Sequence, residues 1–409
     1  MKVLMVNNQS RITGGADRHC FDLADVLRAR GHAVRFLATA AGEQCEGDGA
    51  FVWGRVDHSS RDTAPARVKL AAARGALWNR ASEAAMRALL EDFSPDVVHV
   101  HKVYPHLSVS PVIQAARAGV PVVQTVHDYE FVSASPLDTT GARWDAHETR
   151  FEYRLLNSAL FQIKQRLHVP VVSEWIAVSG SVARVYAAAG VDTTVIPNFT
   201  PSRAAPPKPF DERSGVLYAG RLTPDKGVLD VISMAERIPS IRVIIAGAGP
   251  LRSFVEEAAT RLGNVTFLGL LTTEDVAIQL ARAAICLMPS HWEEPGPLTC
   301  LEAMSVGTPV VCYPVGGLAE YVQGSGGGRV VKADPAALAA ACAQITTDED
   351  VWRRLSAAGA VAAQTTYSPG RYLSSLMEIY MRACSESPQR RHRLHRRGLT
   401  AVVKSGGDI

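Results

Sequence analysis

The sequence predicts an α/β protein made of two doubly wound parallel sheets in tandem, and three observations carry that prediction. Short apolar runs alternate with stretches of helical periodicity, and a single proline-rich segment interrupts the alternation. At 409 residues the chain is also longer than one hydrophobic core usually organises.

In chain order, VLMV (3–6) is a strand, the stretch around Gly14 and Gly15 a polar loop, and ADRHCFDLADVLRARGHAV a helix that stops at Gly31. The runs AVRFLA (33–38), DVVHVH (96–101), PVVQTV (121–126), WIAVS (175–179) and TVIPN (194–198) continue the strand pattern. They are apolar on both faces, as strands of a parallel sheet covered by helices must be. FTPSRAAPPKPFDERS (199–214) has proline and charge but no apolar period, and reads as an interdomain linker between a first domain at 1–198 and a second at 215–366. After it the rhythm restarts with GVLYAG (215–220), IRVIIAG (241–247), NVTFLG (264–269), AICLMPS (284–290), PVVCYP (309–314) and GRVV (328–331).

Composition narrows the function classes. A hydrophobic content of 47% marks a globular chain. Its apolar runs are shorter than the roughly 20 residues of a bilayer span, and MKVLMVNNQS turns polar too early for a signal peptide, so the expected location is the cytoplasm. The seven cysteines (20, 45, 286, 300, 312, 342 and 384) form no CxxC pair and are expected to be buried small hydrophobes, with neither a disulfide framework nor a zinc site. Of the net charge of +3, the tail 385–409 holds six Lys and Arg against two Asp and Glu, which leaves the body close to neutral. A near-neutral body argues against a nucleic-acid groove. The run RRHRLHRR (390–397) reads as a solvated end, with contact to an anionic membrane face as the alternative.

Ligands of doubly wound sheets sit beyond the carboxyl ends of the strands, so the loops there are the expected place of a site. Gly14 and Gly15 open a helix and would let backbone approach an anion. Neither this loop nor AGAGPLRS (246–253) completes G-x-G-x-x-G, which counts against a dinucleotide dehydrogenase. In GRLTPDKG (220–227), Arg221 and Lys226 flank a Pro-Asp turn and can converge on one anion, a pairing suited to a diphosphate. His127 and Asp128 leave the end of PVVQTV where a substrate would lie, whereas His99 and His101 share one strand face and read as structural. HETRFEYRLLNSALFQIKQRL (147–167) looks helical, with Arg and Lys on one side as a solvated face or a surface for a membrane or anionic acceptor.

The stretch HWEEPGPLTCLEAMSV (291–306) combines a loop and a helix start. Pro297 suits the first helical turn, and the N–H groups of Leu298 and Thr299 then form an anion site. Glu294 precedes that site and Glu302 follows inside the helix, one acid on each side. Two carboxylates around a site for negative charge suit neutral hydroxyl donors, those of a sugar or a ribose.

These residues resemble the retaining glycosyltransferases of family 4, which have the GT-B fold. The resemblance spans about residues 1–384 through the Gly14-Gly15 loop, SPDVVHVH, TVHDY, IAVS, VIPNF, YAGRLTPDKG, IIAGAGP, VTFLG and PSHWEEPGPLTCLEAMSVGTPVVCYPVGGLAEYV, the last carrying the E-x7-E pair as Glu294 and Glu302. It implies two Rossmann-like domains with a donor cleft between them, and a final helix at 367–384 that crosses back to the first domain. It further implies that Arg221 and Lys226 hold the donor diphosphate, helped by backbone N–H groups near Gly15 and at Leu298 and Thr299. Glu302 would bind the ribose, Glu294 the donor sugar and its developing positive charge, and His127 the sugar near the reacting face. The eight-residue spacing selects Glu294 over Glu293. No metal or other cofactor is implied, because the cations and the helix dipole stabilise the leaving diphosphate. Retention would follow from front-face attack, with the leaving phosphate taking the acceptor proton. Many relatives have glycine where Pro297 stands, which shifts the anion contact here to Leu298 and Thr299.

The expected function is therefore transfer of a hexose-type sugar from a UDP- or GDP-sugar to a hydroxyl of an acceptor glycan, lipid-linked glycan or small molecule. The alternatives are a nucleotide-sugar 2-epimerase of the same fold, which would turn over the donor without acceptor, and a non-catalytic binding subunit.

Overall fold

The structure, a computed structural model, describes residues 1–40, 49–53, 66–133, 151–200 and 207–385. The tail 386–409 and Cys45 lie outside the described residues.

The first half runs β1 (Lys2–Val6), α1 (Gly15–Ala29), β2 (Ala33–Ala40), β3 (Gly49–Trp53), α2 (Ala66–Leu77), α3 (Arg80–Phe93), β4 (Val97–Val100), α4 (Ser110–Arg117), β5 (Val122–Val126), α5 (Phe151–Ile163), β6 (Glu174–Ala177), α6 (Gly180–Ala188) and β7 (Thr194–Val195). The second half runs β8 (Val216–Ala219), α7 (Val228–Arg237), β9 (Val243–Ala246), α8 (Arg252–Arg261), β10 (Val265–Phe267), α9 (Thr273–Arg282), β11 (Ile285–Met288), α10 (Leu298–Ser305), β12 (Val310–Cys312), α11 (Gly316–Ser325), β13 (Gly328–Val330), α12 (Pro335–Thr347), α13 (Glu349–Gln364) and α14 (Pro369–Ser385).

The strands build a seven-stranded sheet of order β3-β2-β1-β4-β5-β6-β7 and a six-stranded sheet of order β10-β9-β8-β11-β12-β13. All pairings between strands in both sheets are parallel. The strand order reverses between β1 and β4 in one sheet and between β8 and β11 in the other, so each sheet opens a crevice at that point. Four of the sequence motifs leave those four strands: the Gly14-Gly15 loop, His101, Arg221 and the acidic loop after Met288.

The central strands are buried throughout, as VLMV, VVHV and VVQTV require. Helices cover both faces, and α7 shows why they dock. Its buried residues Val228, Val231, Ile232, Met234 and Ala235 recur at helical spacing and pack on Val216, Val243 and Ile285. The chain crosses from the second sheet back to the first before α14, whose Tyr372, Leu373, Leu376, Ile379 and Tyr380 pack with Val3, Met5, Leu23 and Phe36. Burial of such side chains contributes about 1.5 to 3 kcal/mol each. Arg382 fixes the far end of α14 with two bonds to Glu174, at 3.0 and 3.1 Å.

Several expectations need correction. The sequence pattern assigns no strand between 38 and 96, yet Gly49–Trp53 forms the edge strand β3, which pairs with β2 from Phe36↔Gly49 to Ala40↔Trp53. Pro297 stands just outside α10 in an extended conformation (φ −71°, ψ 126°), so Leu298 is the first helical residue. The stretch read as a linker is anchored at its end: Phe210–Glu212 forms a 3₁₀ turn, and buried Arg213 donates to the carbonyls of Ala283 and Val306 and to Thr308 Oγ1. Of the cysteines, Cys20, Cys286, Cys300, Cys312 and Cys342 are buried, but Cys384 near the end of α14 is exposed. The basic helix face at 147–167 loses one member, since Lys164 is buried and bonded to Glu130 Oε2 at 3.0 Å, and the helix passes into a π-turn at Lys164–His168.

Candidate active site

The second sheet supplies two loops that fold as one unit. Pro224–Lys226 makes a 3₁₀ turn after β8, and the Asp225 carbonyl accepts from His291 N at 2.8 Å, Trp292 N at 3.3 Å and Ser290 Oγ at 3.2 Å. Gly227 is required there, because its φ is +72° and a β-carbon would collide with the Pro289 carbonyl. This stitching sets Lys226 Nζ on Glu294 Oε1 and 4.6 Å from the Trp292 ring centroid. Both charges are mostly buried, Lys226 with 17% and Glu294 with 9% of the side chain exposed. Arg221 behaves differently. Its side chain is 60% exposed and reaches Asp225 Oδ2 at 3.6 Å, so in this state it does not join Lys226 around one point.

The acidic loop is then laid on α11. The Glu294 carbonyl accepts from Gly317 N at 2.7 Å, and the first sheet holds the same loop through Asn198 Nδ2 on the Gly296 carbonyl at 2.7 Å and Tyr129 OH on the Glu293 carbonyl at 3.2 Å. Tyr321 of α11 completes the seam by accepting from Asn198 N at 3.0 Å and donating to the Val178 carbonyl at 2.6 Å. α10 starts from this braced loop with no side chain capping it, which leaves the first N–H groups, those of Leu298 and Thr299, for an anion.

Across the cleft, the Gly14-Gly15 loop is shaped by buried Asp17, which accepts from Thr13 N at 3.0 Å, Thr13 Oγ1 at 2.5 Å and Asn7 Nδ2 at 2.9 Å. The two helix starts face each other, for a β-carbon placed on Gly15 would lie 3.9 Å from Leu298 Cδ1. One turn into α1, Arg18 Nη1 reaches Glu302 Oε1 at 2.7 Å while its Nε lies 3.4 Å from Asp22 Oδ2. Burial raises the Glu302 carboxyl above its ordinary range; Arg18 opposes that rise and Asp22 adds to it.

His127 sits behind this meeting point in a stack of imidazoles. Its Nε2 bonds His101 Nδ1 at 3.0 Å, and the two rings are nearly parallel, 20° apart. His99 lies against His101 with centroids 4.4 Å apart and the rings tilted by 33°, and bonds Tyr380 OH and Thr125 Oγ1, each at 2.7 Å. His19 meets His127 edge-on at 5.2 Å and bonds Tyr372 OH at 3.0 Å. Burial pushes His99 and His127 down to about 3, His127 with help from Lys102, and drives His19 and His101 well below the usual imidazole value. These rings are neutral at physiological pH. His19, His101 and His127 each offer a ring nitrogen within 4.8 Å of the others, the spacing of a loose metal site. Two of the nitrogens are spent on each other, and Lys102, paired with Asp128 at 3.2 Å, adds positive charge beside His127. The donor set therefore suits a hydrogen-bonded stack better than a dication.

The structure thus brings Gly15 against Leu298, Arg18 onto Glu302 and Lys226 onto Glu294. Sequence reading missed Arg18, Asn198 and Tyr129, and treated His101 as structural. The spacing of His99 and His101 on one strand face was the only local signal for that stack.

Two family models match in succession: "Glycosyltransferase Family 4" over residues 13–202 and "Glycosyl transferases group 1" over residues 202–361. Glycogen synthase of Mycobacterium tuberculosis is 27% identical over 94% of this chain and 95% of its own length. Phosphatidyl-myo-inositol mannosyltransferase of Mycobacterium leprae is 27% identical over 90% and 93%. Among solved structures, sucrose-phosphate synthase from Thermosynechococcus elongatus superposes with a TM-score of 0.71 at 20% identity, covering 94% of this chain and all of that one. HepE of Anabaena, in complex with UDP-glucose, gives 0.68 at 20% identity over 93% and 99%.

Proposed function

We infer that this chain, which belongs to the GT-B glycosyltransferases of the family 4 type and uses a nucleotide sugar as donor, is a retaining enzyme that moves a hexose-type sugar from a UDP- or GDP-sugar to an acceptor hydroxyl without a metal. The observation that carries the reading is the meeting of two helix starts, Gly15 against Leu298, on elements that also carry the ion pairs Lys226–Glu294 and Arg18–Glu302. The first N–H groups and positive dipole ends of the two helix starts suit a diphosphate. Lys226, with Arg221 swung in from solvent, would neutralise it and take over the charge that develops as the sugar leaves. Glu302 would accept the ribose hydroxyls, Glu294 the sugar hydroxyls, and His127 would contact the sugar. Similarity to a glycogen synthase and to a mannosyltransferase supports a hexose, and the UDP-glucose held by HepE supports a uridine donor. The acceptor is a glycan, a lipid-linked glycan or a small molecule, and no helix among the described residues is long and apolar enough to cross a membrane.

The test is a thermal-shift titration with UDP and GDP, followed by nucleotide release from a panel of sugar donors. UDP or GDP should raise the melting temperature and Glu302→Ala should shrink that rise. Absence of a shift with either nucleotide sinks the reading.

A further inference from the structure

The imidazole stack behind His127 makes more bonds than packing requires, and two of its nitrogens are buried without a partner: His101 Nε2 and His19 Nδ1. Those two orphans decide where the protons are. Between His101 Nδ1 and His127 Nε2 one hydrogen is shared across 3.0 Å, and only two neutral arrangements exist. If His127 held it, the proton of His101 would sit on Nε2, a buried N–H with no acceptor, at a cost of about 1 to 3 kcal/mol. If His101 holds it on Nδ1, the orphan on Nε2 is a lone pair, which is tolerated more readily than an orphaned N–H. The same rule puts the proton of His19 on Nε2, donated to Tyr372 OH, and both orphans become lone pairs.

We propose that His101 is a positioning residue: by donating Nδ1–H to His127 Nε2, it fixes His127 as the tautomer that carries its proton on Nδ1, so that His127 meets the donor sugar as a hydrogen-bond donor. Among the described residues no hydrogen bond engages Nδ1 of His127, which is therefore the nitrogen left for a ligand. The depressed basicity of both rings, caused first by burial, keeps the pair neutral, and a neutral pair is what makes the tautomer a single defined choice. Ring orientation is fixed from behind. His99 packs against His101, is itself held by Tyr380 and Thr125, and both His99 and His101 project from one face of the β4 strand end. The C-terminal helix α14 thus supports the first-sheet side of the site through Tyr380 and Tyr372. An N–H donates to a sugar hydroxyl oxygen and so fixes which way that hydroxyl's own proton points, which a lone pair, accepting from the hydroxyl, would not do.

This inference rests on the reading that His127 faces the donor sugar, but its first test does not. With ¹⁵N-labelled histidine and His127→Asn to assign the signal, long-range ¹H–¹⁵N spectra of the ligand-free protein should show His127 protonated on Nδ1 and bare on Nε2. A spectrum with His127 protonated on Nε2 overturns the proposal whatever the enzyme acts on. The second test uses two isosteres. Asn places an amide where His101 Nδ1 stands, and Gln places one where Nε2 stands. His101→Asn should keep turnover within about fivefold of the parent, whereas His101→Gln should lose kcat by roughly 10- to 100-fold with the donor KM moved far less, the loss typical when an orienting partner of a functional histidine is removed. Equal losses in the two variants, or a loss confined to KM, overturn it. If the Gln variant fails to fold, the spectrum of the parent protein still decides. Failure of the nucleotide thermal shift would sink the functional reading alone and leave the tautomer measurement standing.

Discussion

Acidification should weaken the first sheet before it affects the second, and the size of the effect follows from His99 and His168. Both are fully buried, His99 between Tyr380 and Thr125 and His168 against Gln124 Oε1 at 3.1 Å, and burial pushes each down to about 3. In the unfolded chain the same rings titrate near 6.5. Between the two values the unfolded state binds a proton that the folded state refuses, so stability is intact above about pH 7 and falls as pH drops through 6.5. At pH 5 the loss is about 2 kcal/mol for each ring, or about 4 kcal/mol together, out of a typical total of roughly 5 to 15. His19, His101 and His127 are shifted in the same direction and add to it. The carboxyls of Glu130 and Glu302, raised by burial, titrate with the opposite sign and return part of the loss. Hydrogen exchange read by mass spectrometry on the β4 and β5 peptides, converted to opening free energies at pH 8, 6.5 and 5, measures this locally. The expected outcome is a drop of several kcal/mol for β4 and β5 between pH 8 and 5, with the β8 and β9 peptides changing much less. An opening free energy that stays within about 1 kcal/mol over that range would refute the claim that these rings are held neutral.

Two further outcomes concern the second sheet. Gly227→Ala forces a β-carbon into the Pro289 carbonyl at positive φ, so it should lower stability by about 2 to 4 kcal/mol and weaken nucleotide binding through misplaced Lys226, as read by thermal melts with and without UDP. Lys226→Met leaves Glu294 as an unpaired, mostly buried carboxylate and should cost about 3 kcal/mol, whereas adding Glu294→Gln should recover a large part of it; strictly additive losses in urea titrations would show that the two side chains do not interact.

The fold was legible where local pattern and global burial agree. Val97, Val98 and Val100, or Val122, Val123 and Val126, are apolar on successive positions because both faces of their strands are covered, and no tertiary knowledge is needed to see it. β3 escaped because Gly49 to Trp53 is a short edge strand beside a run of glycine and acid, where the strand signal comes from pairing with β2 and not from its own sequence. The fate of Lys164 was equally hidden. Its partner Glu130 lies 34 residues earlier, and a lysine in a helical pattern looks the same whether it is solvated or buried. Pro297 illustrates a smaller limit: a proline one position before a helix and one at its first position leave the same mark in sequence.

For the cleft, the division falls between residues that share an element and residues that meet across one. Glu294 and Glu302 sit on one loop and helix, so their eight-residue spacing reports their separation directly. Their cations do not: Lys226 comes from 68 residues before Glu294, and Arg18 comes from the other sheet altogether. That arrangement has an energetic consequence for the proposed reaction. Every carboxylate expected to meet the donor is already paired with a cation, so donor binding is an exchange of ion pairs. In the proposed reaction a diphosphate arriving at the two helix starts would draw Lys226 from Glu294, and a ribose would share Glu302 with Arg18. Pairing in the empty cleft lowers the gain from each new contact, but it also spares the buried acids the several kcal/mol that an uncompensated charge would cost. It also holds each side chain near the place where it is needed, so less side-chain freedom is lost on binding. Arg221, the one cation of the expected set that is mostly in solvent, would likewise turn from Asp225 to reach the diphosphate.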